Sequence, residues 1–188
     1  MFLRRNHIRA LTGLLPLVGI AVVLSSHSGA SPSPVEFRFR DDCDPATFNA
    51  PTAAGPGACI GNGKTTFAKF IAEVTEDKSS GAWRINPDQT EVDPGQPSVI
   101  SNRGGELHTF TKVEKFGGGI VPPLNDLSGN RIPAPECLAQ PPDKLTAGNI
   151  PAFPLSSTTG PAFPVGTSKY QCCIHPWMRS VVTVKAHH

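Results

Sequence analysis

The chain has 188 residues, of which 38% are hydrophobic, with 17 basic and 15 acidic side chains. Its length suits one domain, and its 20 prolines and 18 glycines point to turns and short strands rather than long helices. Only 14 of the basic residues lie beyond residue 30, against all 15 acidic ones, so that part carries about −1 and lacks the basic stripe of a nucleic-acid-binding protein.

Arg4, Arg5 and Arg9 precede an apolar run from Leu11 to Leu24, and Ser28-Gly29-Ala30 follows with small residues suited to cleavage. Residues 1–30 therefore read as a secretory signal peptide, with residues 31–188 as a single domain that is exported to the periplasm or the extracellular space. The apolar run is interrupted by Thr12, Gly13, Pro16 and Gly19 and falls short of the ~20 apolar residues of a spanning helix, so no stable membrane insertion is expected after cleavage.

Val35 to Arg40 alternates apolar and charged residues, the pattern of a strand with one buried face. From Asp41 to Asn62 the composition turns to Pro, Gly, Ala and Asp, a loop. Phe67, Phe70, Ile71 and Val74 recur at helical spacing, with Thr65 or Thr66 as N-cap, and the helix is expected to pack on one side of the sheets. Ala58 to Thr65 fits a loose phosphate-binding loop. It follows a Pro/Gly-rich loop instead of a buried strand and contains Cys59, so no nucleotide is expected.

Short strands are predicted over Ala82 to Pro87, Thr90 to Val92 and Pro97 to Asn102, with a turn at Asp93-Pro94-Gly95. Residues 114–150 contain Gly117 to Gly119, several prolines and Cys137 and show no sustained period, which makes them a long loop insertion. The Pro-Ala-Phe-Pro unit at Pro151 and Pro161 occurs twice, too few copies for a repeat architecture. Gly166-Thr167-Ser168 turns into a strand over Lys169 to Cys173, and Ser180 to Val184 is the last strand. His187 and His188 read as a tail.

The chemistry concentrates in Cys172-Cys173-Ile174-His175-Pro176-Trp177-Met178. A thiolate and imidazoles bind copper strongly, a thioether binds as a weak axial ligand, and His2Cys with a long Met is the pattern of an electron-transfer copper site. The second histidine is best supplied by His108 in Gly104-Gly105-Glu106-Leu107-His108-Thr109-Phe110-Thr111. Against this, Cys172 could be half of a structural disulfide in an exported protein, and Met178 a core residue.

The two segments together resemble the cupredoxins, the type 1 blue copper proteins. The loop is most similar to amicyanin- and plastocyanin-type members, which close the site with Cys-x-x-His-Pro-aromatic-Met before a β-rich strand. The resemblance implies a Greek-key β-sandwich with one short helix and the long insertion, binding one type 1 copper per chain through His108, Cys172 and His175 with Met178 axial. It further implies one-electron transfer rather than enzymatic turnover, with a small redox protein or redox enzyme as partner. An edge of His175 would lie near the surface, ringed by Pro176 and Trp177 as the partner-docking patch. Thr109 stands where many relatives have the Asn that ties the first-ligand loop to the cysteine loop, and Asn102 is another candidate for that role. With Cys172 assigned to the metal, Cys43, Cys59, Cys137 and Cys173 remain and allow three pairings; Cys43 with Cys59 and Cys137 with Cys173 is the expected set. Two other functions stay open: a copper-binding or buffering protein, favoured if the insertion shields His175, and a metal-free structural module of the same fold.

Overall fold

The computed structural model describes residues 32–186; the predicted signal peptide and the His187-His188 tail lie outside the described residues. Two mixed sheets face each other. The first runs β2 (Arg84–Asn86), β1 (Val35–Arg40), β4 (Ser98–Asn102), β7 (Ser157–Thr159); the second runs β3 (Gln89–Val92), β9 (Arg179–Val184), β8 (Gly166–Gln171), β5 (His108–Val113), β6 (Asn149–Ala152). Consecutive strands repeatedly cross from one sheet to the other, so the order within each sheet is not the chain order. This is the β-sandwich that the resemblance implied.

The alternation in β1 explains the packing. Phe37 and Phe39 are fully buried while Arg38 and Arg40 face outward. Phe37 meets Phe110 of the opposite sheet with ring centroids 4.8 Å apart, and Phe110 stacks on Tyr170 at 4.2 Å. Burying a side chain of this size stabilises by about 1.5–3 kcal/mol, and these aromatics span the gap between the sheets.

Among the described residues there are four helical segments where one was expected: α1 (Pro45–Phe48), α2 (Phe67–Asp77), α3 (Pro122–Leu127) and α4 (Pro135–Leu138). The three additional segments are four to six residues long, too short to establish a period, and each has proline in its first turn, where its fixed φ suits a helix start. The anticipated helix is α2, capped by Thr66, whose hydroxyl accepts from Lys69 N. It buries Phe70 and Val74.

The insertion is not an irregular loop throughout. Residues 114–150 contain α3, α4 and the start of β6, and disulfide Cys137–Cys173 ties them to the loop that follows β8. Val113, Ala134, Cys137 and Cys173 form a small second core there, with Phe116 and Ile120 packed on it. Ile120 N donates to Cys173 O at 2.7 Å, and a Cβ on Gly119 would lie 1.9 Å from that oxygen. Glycine is therefore required for this close approach. The other disulfide, Cys43–Cys59, closes the loop that carries α1. Gly166 to Ser168, expected as a turn, belongs to β8, which ends at Gln171 rather than Cys173.

Candidate metal centre

β5 and β8 pair antiparallel with Thr111 opposite Gln171. Side chains alternate across a strand, so His108 and Phe110 share the inner face with Cys172, whereas Thr109 and Thr111 share the other face with Gln171 and Cys173. That parity separates the adjacent cysteines: Cys173 bonds to Cys137, and Cys172 is the free thiol among the described residues. The turn between β8 and β9 then folds back. Met178 N donates to His175 O and Cys172 N donates to Met178 O, each at 2.9 Å, which brings His175 under the end of β5.

His108 Nδ1 lies 3.8 Å and His175 Nδ1 3.9 Å from Cys172 Sγ, and ligating atoms of the three residues all lie within 4.8 Å of one another. Metal bonds of about 2.0–2.3 Å to nitrogen and sulfur can span such separations from one ion. The set is buried, with Cys172 and His108 at 0% exposure and His175 at 2%. Met178 is 1% exposed and sits in the core cluster with Cys172.

Burial alone would push the Cys172 thiol up, yet the two imidazoles hold it well below the ordinary thiol range. The thiolate is the form that ligates a metal. Burial would likewise push the His108 imidazole down, but the Asp41 carboxylate and the Cys172 sulfur hold it up, to about 10. Metal binding by such a pair is coupled to proton release.

Thr109 Oγ1 accepts from Cys173 N at 2.8 Å, so threonine makes the tie between the two loops. Asn102 braces the turn before His108: its Nδ2 donates to Glu106 O and Ala152 O at 2.7 and 2.9 Å, and its Oδ1 accepts from Gly104 N at 2.8 Å. Ile174 N lies 3.4 Å from Cys172 Sγ and points a donor at the sulfur.

The exposed edge and docking patch expected at His175 are not present. Pro176 is buried, Trp177 is half-buried, and His175 is enclosed by Phe70 of α2, Trp83 and Trp177 at ring distances of 6.1, 6.4 and 5.5 Å. The cause is α2, which lies over the site end of the sandwich. Beside it is a cavity of about 430 Å³ whose lining includes Phe67, Ile71, Leu124 of α3, Glu106 and His175.

Two carboxylates that the sequence reading did not single out also reach the site. Asp41 Oδ2 lies 2.8 Å from His108 Nε2, and Glu106 Oε2 lies 3.6 Å from His175 Nε2 while accepting from the Trp83 indole. Burial pushes the Glu106 carboxyl up, with the two imidazoles opposing it. No local signal marks Asp41, which is 67 residues from His108 in the chain.

No protein-family model and no curated protein sequence match the chain. Solved structures do. A purple cupredoxin from Nitrosopumilus maritimus is 19% identical, covering 56% of this chain and 86% of its own, with a TM-score of 0.37. An amicyanin mutant in its reduced Cu(I) form is 16% identical over 57% of this chain and 77% of its own, with a TM-score of 0.34. A copper-containing nitrite reductase from Thermus scotoductus is 14% identical over 56% of this chain but only 21% of its own, with a TM-score of 0.35. The solved structures to which this chain is similar thus include cupredoxins, while the reading of the site rests on its own donors.

Proposed function

We propose that the chain is an exported type 1 copper protein that carries single electrons. The observation that carries this reading is the convergence of the two Nδ1 atoms and one thiolate sulfur in a fully buried cluster. Soft sulfur with imidazole is the donor set that suits copper. Copper held there supplies one-electron exchange between Cu(I) and Cu(II).

The protein's part is to hold the donors still. Cys172 and His175 lie in a turn closed by two backbone hydrogen bonds, and His108 leads a strand paired on both sides. Phe39 stacks on His108 at 5.6 Å and Phe70 and Trp83 flank His175, which keeps water from the donors. Met178 would add a weak thioether donor to the set, and the Ile174 N–H beside the sulfur would tune the donor strength of Cys172. Two disulfides suit an oxidising compartment and support export.

A second reading is a copper-binding or buffering protein with no redox partner. The enclosure of His175 by α2 and Trp83 favours it.

Titration of residues 31–188 with Cu(II), followed by visible absorption, tests the assignment. Intense sulfur-to-copper charge transfer saturating at one copper per chain is the expected result. A colourless stoichiometric complex supports buffering, and no binding leaves the metal-free module. Measurable electron self-exchange in the coloured protein separates carrier from store.

A further inference from the structure

The copper reading needs two histidines, a cysteine and a methionine. It does not require Asp41 or Glu106, yet both carboxylates are driven into the interior against the histidines. Burying a carboxylate is costly unless it is paired and hydrogen-bonded. Asp41, with its side chain 1% exposed, is fully provided for: Oδ1 accepts from Gly105 N at 2.9 Å and Cys43 N at 3.3 Å, and Oδ2 accepts from Glu106 N at 3.2 Å and faces His108 Nε2 at 2.8 Å. Glu106 has Trp83 Nε1 on the same oxygen that approaches His175 Nε2.

The two histidines are therefore arranged in the same sense. Each has a carboxylate at Nε2 and the Cys172 sulfur on its Nδ1 side. We propose that Asp41 and Glu106 are positioning residues, which aim both Nδ1 atoms at one point beside Cys172 and bias a metal held there toward its more highly charged oxidation state. This rests on the copper reading above.

An imidazole can present either nitrogen, and the partner of one nitrogen decides which is left for the metal. Flipping the His108 ring would break the 2.8 Å contact and leave a buried carboxylate short of a partner. Asp41 itself cannot easily give way. Two residues on, disulfide Cys43–Cys59 closes its loop, Ile60 N donates to Gly105 O at 2.9 Å, and a Cβ on Gly105 would lie 2.3 Å from Gly61 N. The disulfide and these contacts hold the segment that follows Asp41 against the turn at Gly105. Glu106 at 3.6 Å is beyond hydrogen-bonding reach of His175 and acts by its charge and by filling the Nε2 side. Negative charge this close in a low-dielectric interior stabilises Cu(II) over Cu(I), which lowers the reduction potential.

Asp41, Cys43 and Glu106 also bring ligating atoms within 4.8 Å of one another. Cys43 is in a disulfide and both carboxylates face histidines, so the cluster is a support for the first site and not a second one.

The test compares copper-loaded wild type, Asp41→Asn, Asp41→Ala and Glu106→Gln by redox titration and by copper competition against a chelator, with circular dichroism melts as a check on folding. Wild type should be coloured, and the two isosteric variants should keep the colour with more positive midpoint potentials. Asp41→Ala should bind copper about 10–100-fold more weakly, the usual cost of losing such a partner. If the Asp41 variants fail to fold, Glu106→Gln carries the test alone, because its side chain accepts no backbone N–H. A coloured wild type with potential and affinity unchanged in the folded variants overturns this inference and leaves the copper reading intact. A wild type that binds no copper overturns both.

Discussion

The Thr109 hydroxyl accepts a hydrogen bond from Cys173 N at 2.8 Å, joining the strand that carries His108 to the loop that carries Cys172 and His175. The same hydroxyl lies 2.8 Å from Thr111 Oγ1, which donates to Asn149 Oδ1 at 2.7 Å. Since Thr111 spends its proton on Asn149, Thr109 donates to Thr111 and accepts from Cys173, and one buried relay runs from the cysteine loop to β6.

Thr109→Val keeps the shape and removes the acceptor. It leaves Cys173 N buried without a partner, which should cost about 1–3 kcal/mol. Urea denaturation measures the loss, and an unchanged midpoint would mean that the relay does not hold the loops together.

The adjacent cysteines should behave oppositely. Cys172→Ser should abolish the copper colour and leave the fold largely intact. Cys173→Ser should keep the colour, free one thiol at Cys137 that a thiol reagent counts in the unfolded protein, and lose about 2–4 kcal/mol with the disulfide. The reverse pattern would show that the loop register is wrong.

Met178→Gln replaces a weak thioether donor with a harder oxygen. Copper should be retained and the reduction potential should fall. An unshifted potential would assign Met178, 1% exposed, to packing alone.

Within the first sheet, Glu36 of β1 makes an acid-sensitive link to Ser101 of β4. Its carboxylate accepts from Arg38 Nε and Nη2 at 2.8 and 2.6 Å and from Ser101 Oγ at 2.6 Å, and these hydrogen bonds, Arg38 first, hold its pKa down to about 2 from 4.5. A carboxyl depressed in the folded state stabilises fully above its ordinary pKa and progressively less as pH falls through the folded value. Wild type should therefore lose stability relative to Glu36→Gln between pH 4.5 and about 2. Parallel stability curves across that window would remove Glu36 from the acid response.

The sequence by itself determined the features that depend on local spacing. Alternation in Val35 to Arg40 specified a half-buried strand, the helical recurrence of Phe67 to Val74 specified α2, and Cys172, His175 and Met178 are close enough in one loop to act on a common centre. The short helices in the insertion were not legible because a single turn has no period. Tertiary structure decided what surrounds the donors. Asp41, which follows β1, meets His108 across 67 residues of chain, and α2 covers His175 where Phe70 packs against Trp83 at 4.5 Å. Contacts between segments so far apart in the chain are set by the packing of the whole sandwich, whose energetics no local pattern encodes.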